Sequence, residues 1–143
     1  MLVWTVLLLI FPLSSNAIEN IPLNWVNCST WTDQLSIEKV QANVWPPVRN
    51  HSLIVSVFGI ASESFIYGDY NKTIVYRGYS LPAIIGPLDD LGIKLPTSPG
   101  PLTMILYNST IPDVAPDGDY EFYVRASDHN HFEILCVKLS WKF

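Results

Sequence analysis

The sequence has few charged residues, and its basic residues are not clustered. Only 15% of the 143 residues are charged, with 8 Lys and Arg against 13 Asp and Glu, which gives a net charge of −5. Binding to nucleic acid depends on basic patches that contact phosphates, so we expect no nucleic-acid partner. Hydrophobic residues make up 49% of the chain. Such a composition indicates either a generous core or an apolar surface for a ligand.

One long apolar run is present, over residues 2–13. A membrane-spanning helix needs about 20 apolar residues, so the run is too short to cross a bilayer. The small residues Ser15 and Ala17 suit cleavage by a signal peptidase. We therefore expect a signal peptide over residues 1–17 and one secreted domain over residues 18–143. No Lys or Arg precedes the run, and an uncleaved anchor is the alternative.

Cysteine is scarce, since Cys28 and Cys136 are the only two. An even count behind a secretion signal favours one disulfide bond. It would join the first predicted strand to the last, and two free thiols are the alternative. A bridge that closes a loop of about 100 residues stabilises a fold by about 4–5 kcal/mol in the chain-entropy model.

Four Asn-x-Ser/Thr sequons favour the secretory route, at Asn27, Asn50, Asn71 and Asn108. Each is an acceptor pattern for N-glycosylation. Because a glycan cannot be buried, we predict that all four asparagines lie at the surface. Asn27 is the weakest candidate, since the middle residue of its sequon is Cys28.

The sequence lacks helical periodicity and is interrupted by 11 prolines and 7 glycines. We predict strands over residues 23–30, 35–44, 51–60, 62–67, 72–79, 102–111, 120–127 and 132–143. Seven or eight short strands at this spacing are typical of a two-sheet sandwich or a barrel.

The clearest two-residue alternation runs over residues 120–127, where Tyr120 and Phe122 begin the apolar face. The preceding turn, residues 116–119, resembles the turn before a late tyrosine in immunoglobulin-like sandwiches. In the last strand, Cys136 falls on the polar side of the alternation, so we expect either a bulge or an edge position there.

The connection over residues 80–100 is rich in Ile and Leu, with Ile84, Ile85 and Leu88 among them. Loops are usually polar because their backbone meets water. We therefore predict that this connection either folds over the sandwich as core or lines the mouth of a cavity.

The histidines and carboxylates do not form a recognised catalytic or metal-binding pattern. His129 and His131 are two possible metal ligands in a polar turn without a third, and a solvated turn is the better interpretation. Acid–base pairs for glycoside cleavage could be drawn from Glu63, Glu121 and Glu133, but the last two occupy outward strand positions.

Three aspartates, Asp113, Asp117 and Asp119, are close enough in sequence to suggest calcium. Their spacing does not match a twelve-residue calcium loop, and aspartate beside proline and glycine is common in turns. We expect no metal, no cofactor and no enzymatic activity.

Several motifs of the second half occur in the order of a known family. They are residues 86–101, Ile111-Pro112, residues 116–120, Asp128 and Leu135-Cys136. In this order they resemble the MD-2-related lipid-recognition (ML) family, which includes Niemann–Pick type C2 sterol carriers and phosphatidylglycerol/phosphatidylinositol transfer proteins.

The resemblance implies an all-β, immunoglobulin-like two-sheet β-sandwich with an internal hydrophobic cavity for an acyl chain or a sterol. It also implies a disulfide from the first strand to the last, matching Cys28 and Cys136, and portal positions at Leu81, Ile111 and Ala115. Ala115 is small where the sterol carriers have an aromatic residue, which predicts a wider mouth.

The sequence departs from the sterol carriers at two further disulfides. Asp89 and Leu95 occupy the positions of one usual cysteine pair. Residues 45–47 lack a cysteine of the other usual pair. These differences put the portal shape and a sterol ligand in doubt.

We predict a set of hydrophobic residues as the lining of the lipid site, with plain core packing as the alternative for each. They are Phe58, Phe65, Tyr76, Tyr79, Leu81, Ile84, Ile85, Leu88, Met104, Leu106, Ile111, Ala115, Phe122 and Val124. Each buried methylene of a lipid would contribute about 0.8 kcal/mol.

The predicted function is lipid binding and transfer in the secreted or endolysosomal lumen. The ligand would be a sterol, a phospholipid or a fatty acyl chain, and the protein would be a monomer that contacts membranes transiently. One alternative is a secreted interaction module that serves as co-receptor for a protein partner. Another is a carbohydrate binder or glycosidase-like enzyme that uses exposed Trp25, Trp31, Trp45 or Trp141.

Overall fold

The computed structural model describes residues 20–29 and 33–143. These residues contain ten β-strands, one four-residue 3-10 helix over Leu88–Leu91 and no α-helix. Within this part of the chain, no helix is long and apolar enough to cross a membrane. The predicted signal peptide lies outside the described residues.

The strands form two sheets. The strands are β1 (Ile21–Pro22), β2 (Val26–Asn27), β3 (Leu35–Ala42), β4 (Ser52–Ala61), β5 (Gly68–Tyr76), β6 (Tyr79–Ser80), β7 (Ile84–Pro87), β8 (Gly100–Thr110), β9 (Asp119–Asp128) and β10 (Glu133–Lys142). The four-stranded sheet has the order β1-β3-β4-β8, and the six-stranded sheet has the order β2-β10-β9-β5-β6, with β7 also paired to β5. All pairs are antiparallel. The predicted all-β sandwich is confirmed.

The core lies between the sheets, because one face of each long strand is apolar. In β9 the alternation predicted from the sequence is confirmed, since Tyr120, Phe122, Val124 and Ala126 are all buried. In β4 the inward residues include Val55 and Val57. Burial of such side chains contributes about 1.5–3 kcal/mol each relative to exposure.

The predicted disulfide between Cys28 and Cys136 is confirmed. The two Cα atoms are 5.0 Å apart, and Cys28 N–H donates to the Cys136 carbonyl oxygen at 3.1 Å. The bridge fastens the N-terminal segment to β10, which lies next to the edge strand β2 of the six-stranded sheet. Its closed loop spans 108 residues.

The bulge alternative for the last strand is also confirmed. The pairing of β10 with β9 shifts between Glu133 and Leu135, which allows Ile134 and Leu135 to be buried consecutively. Because β10 lies between β2 and β9, it is not an edge strand. Cys136 faces away from the core and is covered by its own disulfide.

Three strand predictions were wrong. The predicted strand 23–30 is replaced by β1 and β2, which belong to different sheets, because the chain crosses between the sheets after two residues. Residues 62–67 form no strand. The connection over residues 80–100, for which no regular strand was predicted, contains β7 and the 3-10 helix.

Asp128 organises the hairpin between β9 and β10. Its Oδ1 accepts the backbone N–H of Asn130 at 2.8 Å and of Phe132 at 2.9 Å, and its Oδ2 accepts Gln34 Nε2 at 2.8 Å. Burial raises the pKa of Asp128, but these donors outweigh burial and hold the pKa below its ordinary value. The carboxylate is therefore ionised in the folded protein at neutral pH.

Candidate functional site

Three adjoining cavities open between the two sheets at the end where β5 and β9 carry Tyr76 and Tyr120. We call them the loop cleft, the edge cleft and the inner void. Ile74 of β5 and Tyr107 of β8 line all three, so the three cavities adjoin at this pair of side chains.

The loop cleft has a volume of about 370 Å³. It lies between the end of the sandwich and the loop that follows β8. Its walls are almost wholly apolar and are formed by Ile74, Tyr76, Leu81, Tyr107, Ile111, Pro112, Val114, Ala115, Pro116, Tyr120, Trp141 and Phe143.

The edge cleft has a volume of about 260 Å³ and lies between β5 with its following connection and β8. Its walls are formed by Lys72, Ile74, Leu81, Pro82, Ile84, Tyr107, Asn108, Ser109 and Phe122. Leu81 belongs to both clefts, so the portal position implied by the resemblance lies where they meet.

The inner void is small, with a volume of about 40 Å³. It is lined by Trp45, Leu53, Val55, Ile74, Tyr107, Ile111, Phe122, Leu139 and Trp141. A water molecule occupies about 30 Å³ of liquid, so the predicted internal cavity exists but does not hold a lipid chain in this conformation.

Aromatic packing closes the inner end of the loop cleft. Tyr120 stacks on Trp141 with ring centroids 5.3 Å apart. Trp45 meets Trp141 edge to face at 5.8 Å, and Phe143 meets Tyr120 edge to face at 5.4 Å. Such pairs contribute about 0.5–1.5 kcal/mol each beyond area burial, so they stabilise this wall.

Hydrogen bonds from two tyrosine hydroxyls hold the loop in place. Tyr120 Oη donates to the Pro116 carbonyl at 2.7 Å, and Tyr76 Oη donates to the Asp117 carbonyl at 2.8 Å. The first of these is the backbone bond expected of a late tyrosine in immunoglobulin-like sandwiches. Burial raises the pKa of Tyr120, which keeps its hydroxyl protonated and able to donate.

Arg49 holds the same loop from the side of the four-stranded sheet. Its Nε donates to the Ala115 carbonyl at 2.7 Å, and its Nη2 pairs with Asp117 Oδ1 at 2.6 Å. The guanidinium also lies 4.5 Å from the Phe143 ring centroid. These contacts position Ala115 at the mouth of the loop cleft.

Lys72 is the only charged residue among those that line the three cavities. It pairs across β5 and β9 with the buried Val124, so it projects toward the space between the sheets. Its Nζ lies 4.7 Å from the Tyr70 ring centroid. Burial lowers the pKa of Lys72, and the Asp90 carboxylate opposes part of this shift.

The structure brings six of the fourteen predicted lining residues to the clefts. They are Tyr76, Leu81, Ile84, Ile111, Ala115 and Phe122. The three implied portal positions are all among them. Their role in binding stays a prediction.

The other eight do not line these cavities. Phe65, Leu88, Met104, Leu106 and Val124 are fully buried core residues. Phe58 lies on the outer face of the four-stranded sheet, where Lys39 Nζ is 5.5 Å from its ring centroid. Tyr79 and Ile85 are exposed beside the edge cleft, at 77% and 70%.

Sequence reasoning missed Tyr107, Ile74 and Lys72. Tyr107 was not predicted because the pairing of β4 with β8 shifts after Val55. As a result, Tyr107 opposes Val55, and Ile105 opposes Ser56. A bulge of this kind changes which side chains face inward and is not visible in the sequence pattern. Ile74 and Lys72 could have been found from their two-residue spacing with Tyr76.

The carboxylates considered for acid–base chemistry are paired on the outer face of the six-stranded sheet. Tyr123 Oη donates to Glu121 Oε2 at 2.8 Å, and this bond is the main reason that the pKa of Glu121 is lowered. Lys138 Nζ lies 3.4 Å from Glu121 Oε1, and Arg125 Nη1 lies 3.5 Å from Glu133 Oε2. The two carboxylates thus serve as partners in surface ion pairs.

Over residues 20–29 and 33–143, no group of three or more His, Cys, Asp or Glu side chains is arranged to hold a metal ion. His129 packs against Tyr67 with centroids 5.2 Å apart. All four sequon asparagines are exposed, and their glycosylation stays a prediction.

Two Dictyostelium discoideum proteins, provisionally named phosphatidylglycerol/phosphatidylinositol transfer proteins 3 and 1, are 27% and 25% identical over 116 residues, covering 80% of this chain and 77% of each relative.

Two solved structures have the same fold. A Niemann-Pick type C2 protein from the Japanese carpenter ant superposes with a TM-score of 0.65 at 15% identity, covering 84% of this chain and 98% of its own. Chicken MD-1 complexed with lipid IVa superposes with a TM-score of 0.59 at 14% identity, covering 82% and 86%. The family model of the ML domain (E1_DerP2_DerF2) matches residues 22–143, and the chain therefore belongs to the ML-domain family.

Proposed function

We propose that this protein binds one lipid molecule by its hydrocarbon chain, between its two sheets, and transfers it from one membrane to another. The observation that carries the proposal is the apolar loop cleft, which opens beside Leu81 and Ile111 and adjoins the inner void. The names of the Dictyostelium relatives and the lipid bound to MD-1 support the same activity.

The cleft volumes are of the order that a ligand site needs. Ligand sites usually enclose about 300–1,000 Å³, and the loop and edge clefts provide about 370 and 260 Å³. Tyr107 and Phe122 meet edge to face between these clefts and the void, with centroids 5.8 Å apart. We propose that these two rings move apart when a lipid chain passes between the sheets.

Membrane contact would occur through the exposed apolar rim of the clefts. We define this rim as Tyr79, Leu81, Ile84 and Val114, which are exposed at 77%, 47%, 59% and 85%. Exposed apolar residues grouped around an opening mark interaction surfaces. Their insertion among lipid headgroups would place the cleft mouth next to the acyl chains, so that a lipid need not cross water.

The proposed compartment is the secreted or endolysosomal lumen. The Cys28–Cys136 disulfide supports it, because such bonds persist in oxidising compartments. The apolar run before residue 18 and the exposed sequons favour the same route.

Lipid extraction from protein secreted by eukaryotic cells tests the proposal. Native mass spectrometry should give a mass excess that matches one lipid per chain, and delipidated protein should take up a fluorescent fatty acid at one site. A protein that neither carries nor takes up lipid would refute it. A protein partner that remains bound after delipidation would instead favour the interaction module.

Membrane contact is tested separately by transfer rates between vesicles. Tyr79→Glu should slow transfer at least fivefold, because a carboxylate on the rim opposes insertion, and Tyr79 lines none of the three cavities. The matched control is Phe132→Glu, which changes a residue exposed at 64% in the β9–β10 hairpin at the opposite end of the sheet. Equal transfer rates for the two variants would exclude the rim as the contact surface.

A further inference from the structure

Lys72 lines the edge cleft, with its Nζ 4.7 Å from the Tyr70 ring centroid, and this position is unusual for a lysine. Along β5, Lys72, Ile74 and Tyr76 pair with Val124, Phe122 and Tyr120, whose side chains are all buried. Residues in register on an antiparallel pair share a face. The lysine therefore belongs to the inward face of the six-stranded sheet and not to its solvated face.

Among the residues that the structure describes, no carboxylate lies within 4.0 Å of the Lys72 ammonium. Within residues 20–29 and 33–143, the ion pairs that lie within 4.0 Å involve Arg49, Arg125 and Lys138. Asp90 acts on Lys72 only from a longer distance. A half-buried ammonium without a close counter-ion is destabilising unless a ligand supplies the charge.

The surroundings of Lys72 separate a polar end of the edge cleft from an apolar one. Asn108 and Ser109 of β8 line the same cleft, whereas Ile74 and Tyr107 lead from it to the loop cleft and the inner void. An amphipathic molecule could thus place a charged head near Lys72 and its chain along the apolar walls.

We propose that the Lys72 ammonium binds the anionic oxygen atoms of the lipid headgroup, a carboxylate or a phosphate. The proposal rests on the proposed function and names its ligand class. The protein then selects anionic lipids over neutral lipids with the same hydrocarbon chain. Lysine suits this role because its ammonium is a compact point charge that donates hydrogen bonds to a planar carboxylate or to a tetrahedral phosphate.

The test uses pairs of ligands that share their hydrocarbon chains, with an anionic headgroup in one member and a neutral headgroup in the other. Palmitate is compared with hexadecanol, and dipalmitoyl phosphatidylglycerol with dipalmitoyl glycerol, by displacement of a fluorescent probe from delipidated protein at pH 7.4. The variants are Lys72→Met, Lys72→Arg as a charge-preserving rescue, and Lys94→Met as a control at an exposed lysine that lines none of the cavities.

Wild-type protein should bind at least one anionic ligand tenfold or more tightly than its neutral counterpart, a difference of about 1.4 kcal/mol. Lys72→Met should reduce that ratio to below threefold while the affinity for the neutral ligand stays within twofold. Lys72→Arg and Lys94→Met should keep the wild-type ratio. A response in the palmitate pair alone assigns a carboxylate ligand, and a response in the phosphatidylglycerol pair alone assigns a phosphate.

An unchanged ratio in Lys72→Met for both pairs would overturn the proposal while lipid binding itself stands. Failure of wild-type protein to bind any of the four ligands would overturn the proposed function as well. Circular dichroism of Lys72→Met verifies its fold, and we expect the fold to be intact because the substitution removes a half-buried charge.

Discussion

Filling the mouth of the loop cleft should abolish tight lipid binding, and Ala115→Trp is the substitution that does so with least disturbance. Ala115 is half-buried and lines the cleft. Its structural contacts are made by its backbone, since its N–H donates to the Pro112 carbonyl at 3.2 Å and its carbonyl accepts Arg49 Nε at 2.7 Å. A tryptophan at this position keeps both bonds and extends its ring into the cleft.

The magnitude follows from the cleft volume. The loop cleft of about 370 Å³ holds about 12 groups of the size of a water molecule or a methylene, at about 30 Å³ each. Each buried methylene is worth about 0.8 kcal/mol. An indole ring that displaces about five methylene groups of the ligand removes about 4 kcal/mol of binding free energy, which is about 1,000-fold in affinity. Because the chain can shift toward the edge cleft, we expect a loss of at least 100-fold.

The assay is displacement of a fluorescent fatty acid from delipidated protein. Thr103→Trp provides the matched control, because Thr103 is exposed and pairs with Phe58 on the outer face of the four-stranded sheet. It should bind like the wild type. If folded Ala115→Trp protein binds the fatty acid within threefold of the wild type, the loop cleft is not where the chain lies.

Three further predictions concern stability. Replacement of Cys28 and Cys136 by Ser should lower the free energy of unfolding by about 2–5 kcal/mol, since it releases a 108-residue loop; a loss below about 1 kcal/mol in urea denaturation would contradict this. Asp128→Asn should cost about 1–3 kcal/mol at pH 7. Folding lowers the pKa of Asp128 from 3.8. Its carboxylate therefore stabilises the fold above pH 3.8, and this contribution is lost as the pH falls further. Parallel curves of unfolding free energy against pH for wild type and variant, down to about pH 2, would be evidence against this role of Asp128. Gly59→Ala should destabilise by about 1–3 kcal/mol, because a Cβ there would overlap the Ser36 carbonyl oxygen of the adjacent strand, and an unchanged melting temperature would contradict the register of that strand pair.

The sequence predicts the fold class well because the long strands are amphipathic and clearly bounded. The alternation in β9 places its core residues correctly, and the two cysteines leave one pairing for a single bridge. The first strand was predicted wrongly because two short strands in different sheets leave no periodic pattern. Residues 62–67 have the composition of a strand, but the structure gives them no partner strand.

The site was harder to predict than the fold. The hydrophobic residues that line a cleft and those that fill a core have the same composition, so Met104 and Leu106 could not be told from Ile111 by type. A bulge in β8 buries Leu106 and brings Tyr107 into the cleft. Lys72 was overlooked because a lysine in a strand is usually exposed, and its inward position depends on the register between β5 and β9.

The central claim, that a lipid chain lies between the sheets at the Tyr76 end of the sandwich, is tested most directly by paramagnetic NMR. A fatty acid with a spin label near its methyl end is added to methyl-labelled protein. We predict strong broadening of the methyl signals of Ile74, Ile111 and Leu139, which line the cavities, while Leu88 and Leu91 of the 3-10 helix stay sharp. Broadening of the two helix leucines instead, or of no buried methyl group, would contradict the account.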